Sequence, residues 1–210
     1  MNLEKLKEAE EAFLHRYPGG FDNPAIIAIR NKKHKPDQMI ALAQESFSKG
    51  NFRFPDLISQ NMIKVINRSS IISVFEKPRF RDFVTNLSPQ SRDLLATGME
   101  QLLHGMEQAG FEIILELLKN DRLAKWSLIT VCQTYFHPQR DVFVKPTTVK
   151  GVIEYFELKS LHYKSNPSWG FYEAYRSAFH EMKSMVDTSL APTNPAFSGF
   201  LLMSIHRRSY

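Results

Sequence analysis

Glu100, His104 and Glu107 are spaced four and three residues apart, so on a continuous helix they would share one face. Carboxylate and imidazole groups in that arrangement are the ligand types of a transition-metal site. A di-iron bundle, however, requires Glu-x-x-His units on two helices together with further glutamates, and the chain holds no second unit. A solvated polar face opposite the neighbouring leucines accounts for the same three residues, and no cofactor is expected. The zinc-protease pattern His-Glu-x-x-His, a Cys-x-x-Cys pair, the phosphate loop Gly-x-x-x-x-Gly-Lys and the nucleophile elbow Gly-x-Ser-x-Gly are all missing.

The basic residues offer a different chemistry. Arg30, Lys32, Lys33 and Lys35, with His34 among them, place four positive charges in six residues without an acid. They fall at the end of one predicted helix and in the turn after it, where they would suit a phosphate backbone. Cations at a helix C-terminus also complement the helix dipole, which needs no ligand. Arg53 stands between Phe52 and Phe54, and Arg79 and Arg81 flank Phe80. Charge interleaved with aromatic rings is the pattern of single-strand binders, in which rings stack on bases and cations follow the backbone.

One further segment, Phe143-Val144-Lys145-Pro146-Thr147-Thr148-Val149-Lys150, leads into a predicted helix after a long helical region. It resembles the segment of helix-hairpin-helix DNA glycosylases that carries their catalytic aspartate. Lys145 occupies the place of that aspartate, and the Leu-Pro-Gly-Val-Gly hairpin of the family is missing, so the resemblance does not imply glycosylase activity. It implies a helical scaffold with Lys145, Thr147, Thr148 and Lys150 near a helix N-terminus able to receive a phosphate. In the residues alone, Pro146 starts a helix and the threonines cap it.

The elements that would position these groups read as helices almost throughout, because apolar residues recur at helical spacing and sustained two-residue alternation is scarce. An amphipathic helix over about residues 3 to 16 stops at Tyr17-Pro18-Gly19-Gly20, and helices restart at Asn23-Pro24 and at Pro36-Asp37. Leu57, Ile58, Met62, Ile63, Val65 and Ile66 trace the next apolar stripe. Over residues 68 to 88 the pattern is less clear, with Lys77-Pro78 read as a breaker. The strongest helix starts at Ser88-Pro89 and carries Leu94, Leu95, Met99, Leu102, Leu103 and Met106. A buried helix is predicted over Phe111 to Leu118 and another through Leu123, Trp126, Ile129, Cys132 and Phe136. Asp141 to Val144 could be extended. The aromatic stripe Trp169, Tyr172, Tyr175, Phe179, Met182 and Val186 reads as core, and a last helix over Ala196 to His206 runs into Arg207 and Arg208.

These patterns predict an all-α fold, a compact orthogonal-type bundle of roughly nine to eleven helices around Leu94 to Phe136. At 210 residues, with 43% apolar and 23% charged residues, one domain is expected, the alternative division being an N-terminal lobe 1–87 and a main helical body 88–210. The lone Cys132 cannot form an internal disulfide, no apolar run approaches bilayer length, and the first residues are charged. A cytoplasmic protein without a membrane partner is therefore expected. The net charge of +5 is modest. With the three basic clusters it favours a helical binding protein for DNA or RNA, the alternatives being an enzyme on a helical scaffold or a protein that docks another chain.

Overall fold

The computed structural model of the chain describes residues 1–206; Arg207 and Arg208 lie outside the described residues. The fold is all-α, with eleven α-helices and no strand among the described residues. They are α1 (Leu3–Arg16), α2 (Pro24–Lys33), α3 (Pro36–Ser46), α4 (Pro55–Arg68), α5 (Glu76–Asn86) and α6 (Pro89–His104), then α7 (Glu107–Asn120), α8 (Trp126–Phe136), α9 (Pro146–Tyr155), α10 (Trp169–Ser184) and α11 (Asn194–Ile205). Three short 3-10 turns, Gly20–Asp22, Lys49–Arg53 and Thr188–Leu190, fill joints between them. Among the described residues, no helix is long and apolar enough to cross a membrane.

The helix starts follow local chemistry. Side chains of Asn2, Asn23, Ser88 and Thr193 accept hydrogen bonds from the first-turn N–H groups of α1, α2, α6 and α11. Prolines open α2, α3, α4, α6 and α9, where the missing N–H would have had no partner. Pro78 is a correction to the sequence reading: it does not break the chain but lies third in α5, still within the turn whose N–H groups need no carbonyl. From there α5 buries Phe80, Phe83 and Val84.

The core is one continuous apolar cluster that includes Leu6, Phe47, Ile58, Leu102, Phe111, Trp126, Phe179 and Leu201. It crosses the joint at 87/88, because α6 packs on α4 and α8 packs on α3. The tightest approach is between α6 and α7, joined by Gly105 and Met106. A Cβ on Gly110 would lie 2.5 Å from the Gly98 carbonyl oxygen and 2.7 Å from Leu102 Cα, so only glycine allows this crossing. Leu95, Met99, Leu102 and Leu103 are buried as expected, whereas Leu94 and Met106 are exposed. Leu94 lies one helical step off the buried stripe, and Met106 falls beyond the helix end at His104.

The aromatic face of α10 is core: Tyr172, Tyr175, Phe179 and Met182 are buried. Cys132 is buried too, and the apolar surroundings push its thiol up to about 12.

Candidate functional site

The single helical face that Glu100, His104 and Glu107 would share, as metal ligands or as a solvated polar surface, does not exist. The helix carrying Glu100 and His104 ends at His104, and Glu107 begins α7. His104 donates its Nε2–H to the Phe47 carbonyl at 2.8 Å and packs edge-on against Phe52 and Phe136. Glu100 is exposed, and Glu107 is engaged by two arginines. Among the described residues, no group of three His, Cys, Asp or Glu side chains could hold a metal ion.

Glu107 belongs instead to a buried polar cluster centred on Asp141. Asp141 is fully buried and accepts from the Tyr172 hydroxyl at 3.1 Å, from Arg176 Nη1 at 3.0 Å and from Arg140 Nη2 at 2.9 Å. Arg176 also reaches Glu107 at 2.6 Å and lies over the rings of Trp169 and Tyr172. Asn194 donates to the Asp141 backbone carbonyl, and His180 donates Nε2–H to that of Arg140. Burial raises the Tyr172 hydroxyl well above its ordinary value, and the Asp141 charge adds to the rise. Burial alone would lower Arg176, but its bond to Glu107 and the nearby carboxylates outweigh it and leave the guanidinium above its usual value. Each charge here is answered by another, so the cluster fastens α7, α10 and α11 to the 137–145 segment. Tyr172 and Arg176 are one helical turn apart on α10, a spacing visible in the sequence; their partner Asp141 is not.

The basic clusters have separate fates. Arg30 is taken up by Asp37 through Nη2 at 3.0 and 2.8 Å. Lys32, Lys33 and Lys35 are exposed and, with Lys64 and Arg68, lie outside the ion pairs formed among the described residues. Lys35 turns the corner between α2 and α3 in the left-handed conformation, φ +43°, which costs most residues about 1 kcal/mol. His34 Nδ1 meets Ser70 Oγ at 2.8 Å, bringing the end of α2 beside the turn that follows α4. There Lys77 donates to the Asn67 carbonyl at 2.9 Å. Six cations, Lys32, Lys33, Lys35, Lys64, Arg68 and Lys77, thus belong to α2, α4, α5 and the turns that this contact joins.

The Arg53 cluster lies at the other end of the same helix. Exposed Leu57, Gln60, Lys64, Asn67 and Arg68 fall within an arc of about 100° on α4. Arg53 and Phe54 precede this row, and the 69–75 turn follows it. Phe52 is half-buried against His104, while Phe54 is 61% exposed. Helix α5 returns antiparallel to α4, since Lys77 meets Asn67 at one end while Arg92 bridges Asp56 and Thr85 at the other.

Arg79 and Arg81 do not join this row. Phe80 between them is buried, so it cannot serve as a stacking ring. Arg81 pairs with Asp82, and Arg79 lines a recess of about 360 Å³ with Asp82 and Asp121. The α9 residues form another group. Lys145 occupies the cap position of α9, whose N–H groups receive no side-chain cap, so the threonines do not cap it. Lys145 and Thr147 are exposed and Thr148 half-buried, with Lys150 Nζ 5.0 Å from the centre of the Tyr163 ring. Helix α9 packs on α11. Comparison with protein-family models, curated proteins and solved structures finds no match to this chain.

Proposed function

We propose that this protein binds nucleic acid, with the exposed face of α4 and the end of α2 as the surface that meets the phosphates. One observation carries the reading: the His34–Ser70 contact joins the cations of Lys32 to Lys35 to those of Lys64, Arg68 and Lys77. Asp37 after α2, Asp56 in the first turn of α4 and Glu76 after the end of α4 are paired with Arg30, Arg92 and Lys125. Lysine and arginine side chains held this way exchange condensed counterions for protein charge, the main source of affinity for a nucleic acid backbone.

The enzyme alternative has less support. It needs a cleft where Lys145, Glu100, His104 or Asp141 converge, yet Asp141 is enclosed by Arg140, Arg176 and Tyr172, and His104 is bound to Phe47. The test is fluorescence anisotropy of labelled DNA and RNA oligonucleotides in about 50 mM salt, with the wild type and with K64E/R68E. Binding that the double charge reversal weakens at least tenfold supports the reading. A wild-type protein that leaves the anisotropy unchanged overturns it.

A further inference from the structure

We infer that the strand this surface takes is single, with Phe54 and Phe75 stacking on unpaired bases at the two ends of the α4 row; the inference rests on the nucleic-acid reading above. Of the sixteen phenylalanines, Phe54 and Phe75 are the two that are exposed, at 61% and 80%. An exposed ring is unexceptional alone. Their placement is what matters. Phe54 immediately precedes α4, and Phe75 closes the turn that follows it, so the length of α4 separates them, about 21 Å from Phe54 to Arg68 at 1.5 Å per residue. Between them run Leu57, Gln60, Lys64, Asn67 and Arg68, and the lysines at the end of α2 flank the far end. Rings at both ends of a cationic track match a ligand that offers flat apolar faces and a continuous line of negative charge. At stacked spacing of about 3.4 Å, the track spans about six nucleotides.

Phe75 is presented by a firmly held turn. Ile72 is buried in the core, Ser69 Oγ bonds the Tyr135 hydroxyl at 3.2 Å, and Ser73 Oγ accepts the Phe75 N–H at 3.3 Å. A backbone held before binding loses less freedom when the ring it carries stacks. Duplex ligands keep their bases paired and stacked, which leaves both rings idle. An anionic membrane would accommodate Val74 and Phe75, but the row between the rings, polar apart from Leu57, gives a bilayer little apolar surface to bury.

The experiment measures anisotropy with labelled dT and U strands of about 12 nucleotides and with a duplex of the same length, in about 50 mM salt. Each is titrated with wild type, F54A/F75A and K64E/R68E, and circular dichroism checks that the exposed replacements leave the fold intact. Stacking of this kind is worth a loss of about 5- to 150-fold per ring for the single strands, with the duplex little changed. K64E/R68E weakens both. Equal effects of F54A/F75A on strand and duplex, or no effect on the strand, overturn the single-strand assignment and leave nucleic-acid binding standing. No oligonucleotide binding at all, including a case in which vesicles of 3:1 phosphatidylcholine and phosphatidylserine bind instead and lose binding with F75A, overturns both.

Discussion

Replacing Asp141 by alanine removes a carboxylate that is fully buried and accepts from three side chains, those of Tyr172, Arg176 and Arg140. Arg176 keeps Glu107 as a partner, and Arg140 is partly exposed, so neither guanidinium is stranded completely. The Tyr172 hydroxyl, buried and a donor to Asp141, loses its acceptor outright. Breaking one side of a buried ion pair costs roughly 3–5 kcal/mol, and the surviving Glu107 contacts place D141A near the lower figure, about 3 kcal/mol. For a chain of this size each kcal/mol moves Tm by about 2–4 °C, which gives a drop of about 6–12 °C in thermal unfolding followed by circular dichroism or calorimetry. E107Q touches the half-buried margin of the same cluster, keeps an amide acceptor for Arg176, and should cost less than D141A, about 1 kcal/mol. A double-mutant cycle of D141A with R176M should show coupling of about 1 kcal/mol or more. A D141A protein melting within about 2 °C of wild type would refute the claim that this cluster fastens α7 and α10 to the 137–145 segment.

Three other outcomes follow from the packing and the titrating groups. G110A puts a Cβ against the backbone of α6 and should destabilise by about 3 kcal/mol or more, whereas G170A, where a Cβ meets nothing within 4 Å, should be neutral or stabilising by up to about 1 kcal/mol; chemical denaturation separates them. Cys132, buried and with its thiol pushed up to about 12, should resist thiol reagents at pH 8 until the chain is unfolded, and labelling at the rate of a free thiol under native conditions would contradict its placement. Burial, followed by the Lys33 charge, holds His34 below its usual value, so in the free protein the unfolded chain takes up the proton first and stability falls as pH drops below about 6.5. A bound polyanion reverses the local charge, so affinity for an oligonucleotide should rise between pH 7.5 and 5.5 in wild type and vary less in H34N.

The helix starts were legible because a capping side chain followed by proline sets backbone conformation within two residues, as at Asn23-Pro24 and Ser88-Pro89. Pro78 was misleading for the same reason in reverse: the rule that proline breaks helices does not hold in a first turn, and the true start at Glu76 has no side-chain cap to announce it. Arg79-Phe80-Arg81 resembled an interleaved surface when read as a string. Successive residues on a helix point about 100° apart, so the two arginines stay outside while the ring between them turns into the core.

Phe54 keeps its exposure because it precedes the first turn of α4 and packs on nothing that would bury it. The candidate surface was legible only in pieces, since its joining contact spans 36 residues from His34 to Ser70. The Asp141 cluster was hidden by the same kind of distance, its partners Tyr172 and Arg176 lying 31 and 35 residues downstream. Periodicity reports which face of a helix is apolar and leaves open which helices meet.

The salt dependence of oligonucleotide affinity tests the central claim most directly. If the six cations of α2, α4 and α5 all engage phosphates, log K against log salt should fall with a slope near −4 for a single strand, a loss of roughly 300-fold between about 50 and 200 mM. K64E/R68E should flatten that slope by at least about 1.4, while K145E/K150E, on a separate helix, should leave it unchanged. A flat wild-type response, or a slope that changes with the α9 lysines and not with Lys64 and Arg68, would contradict the account.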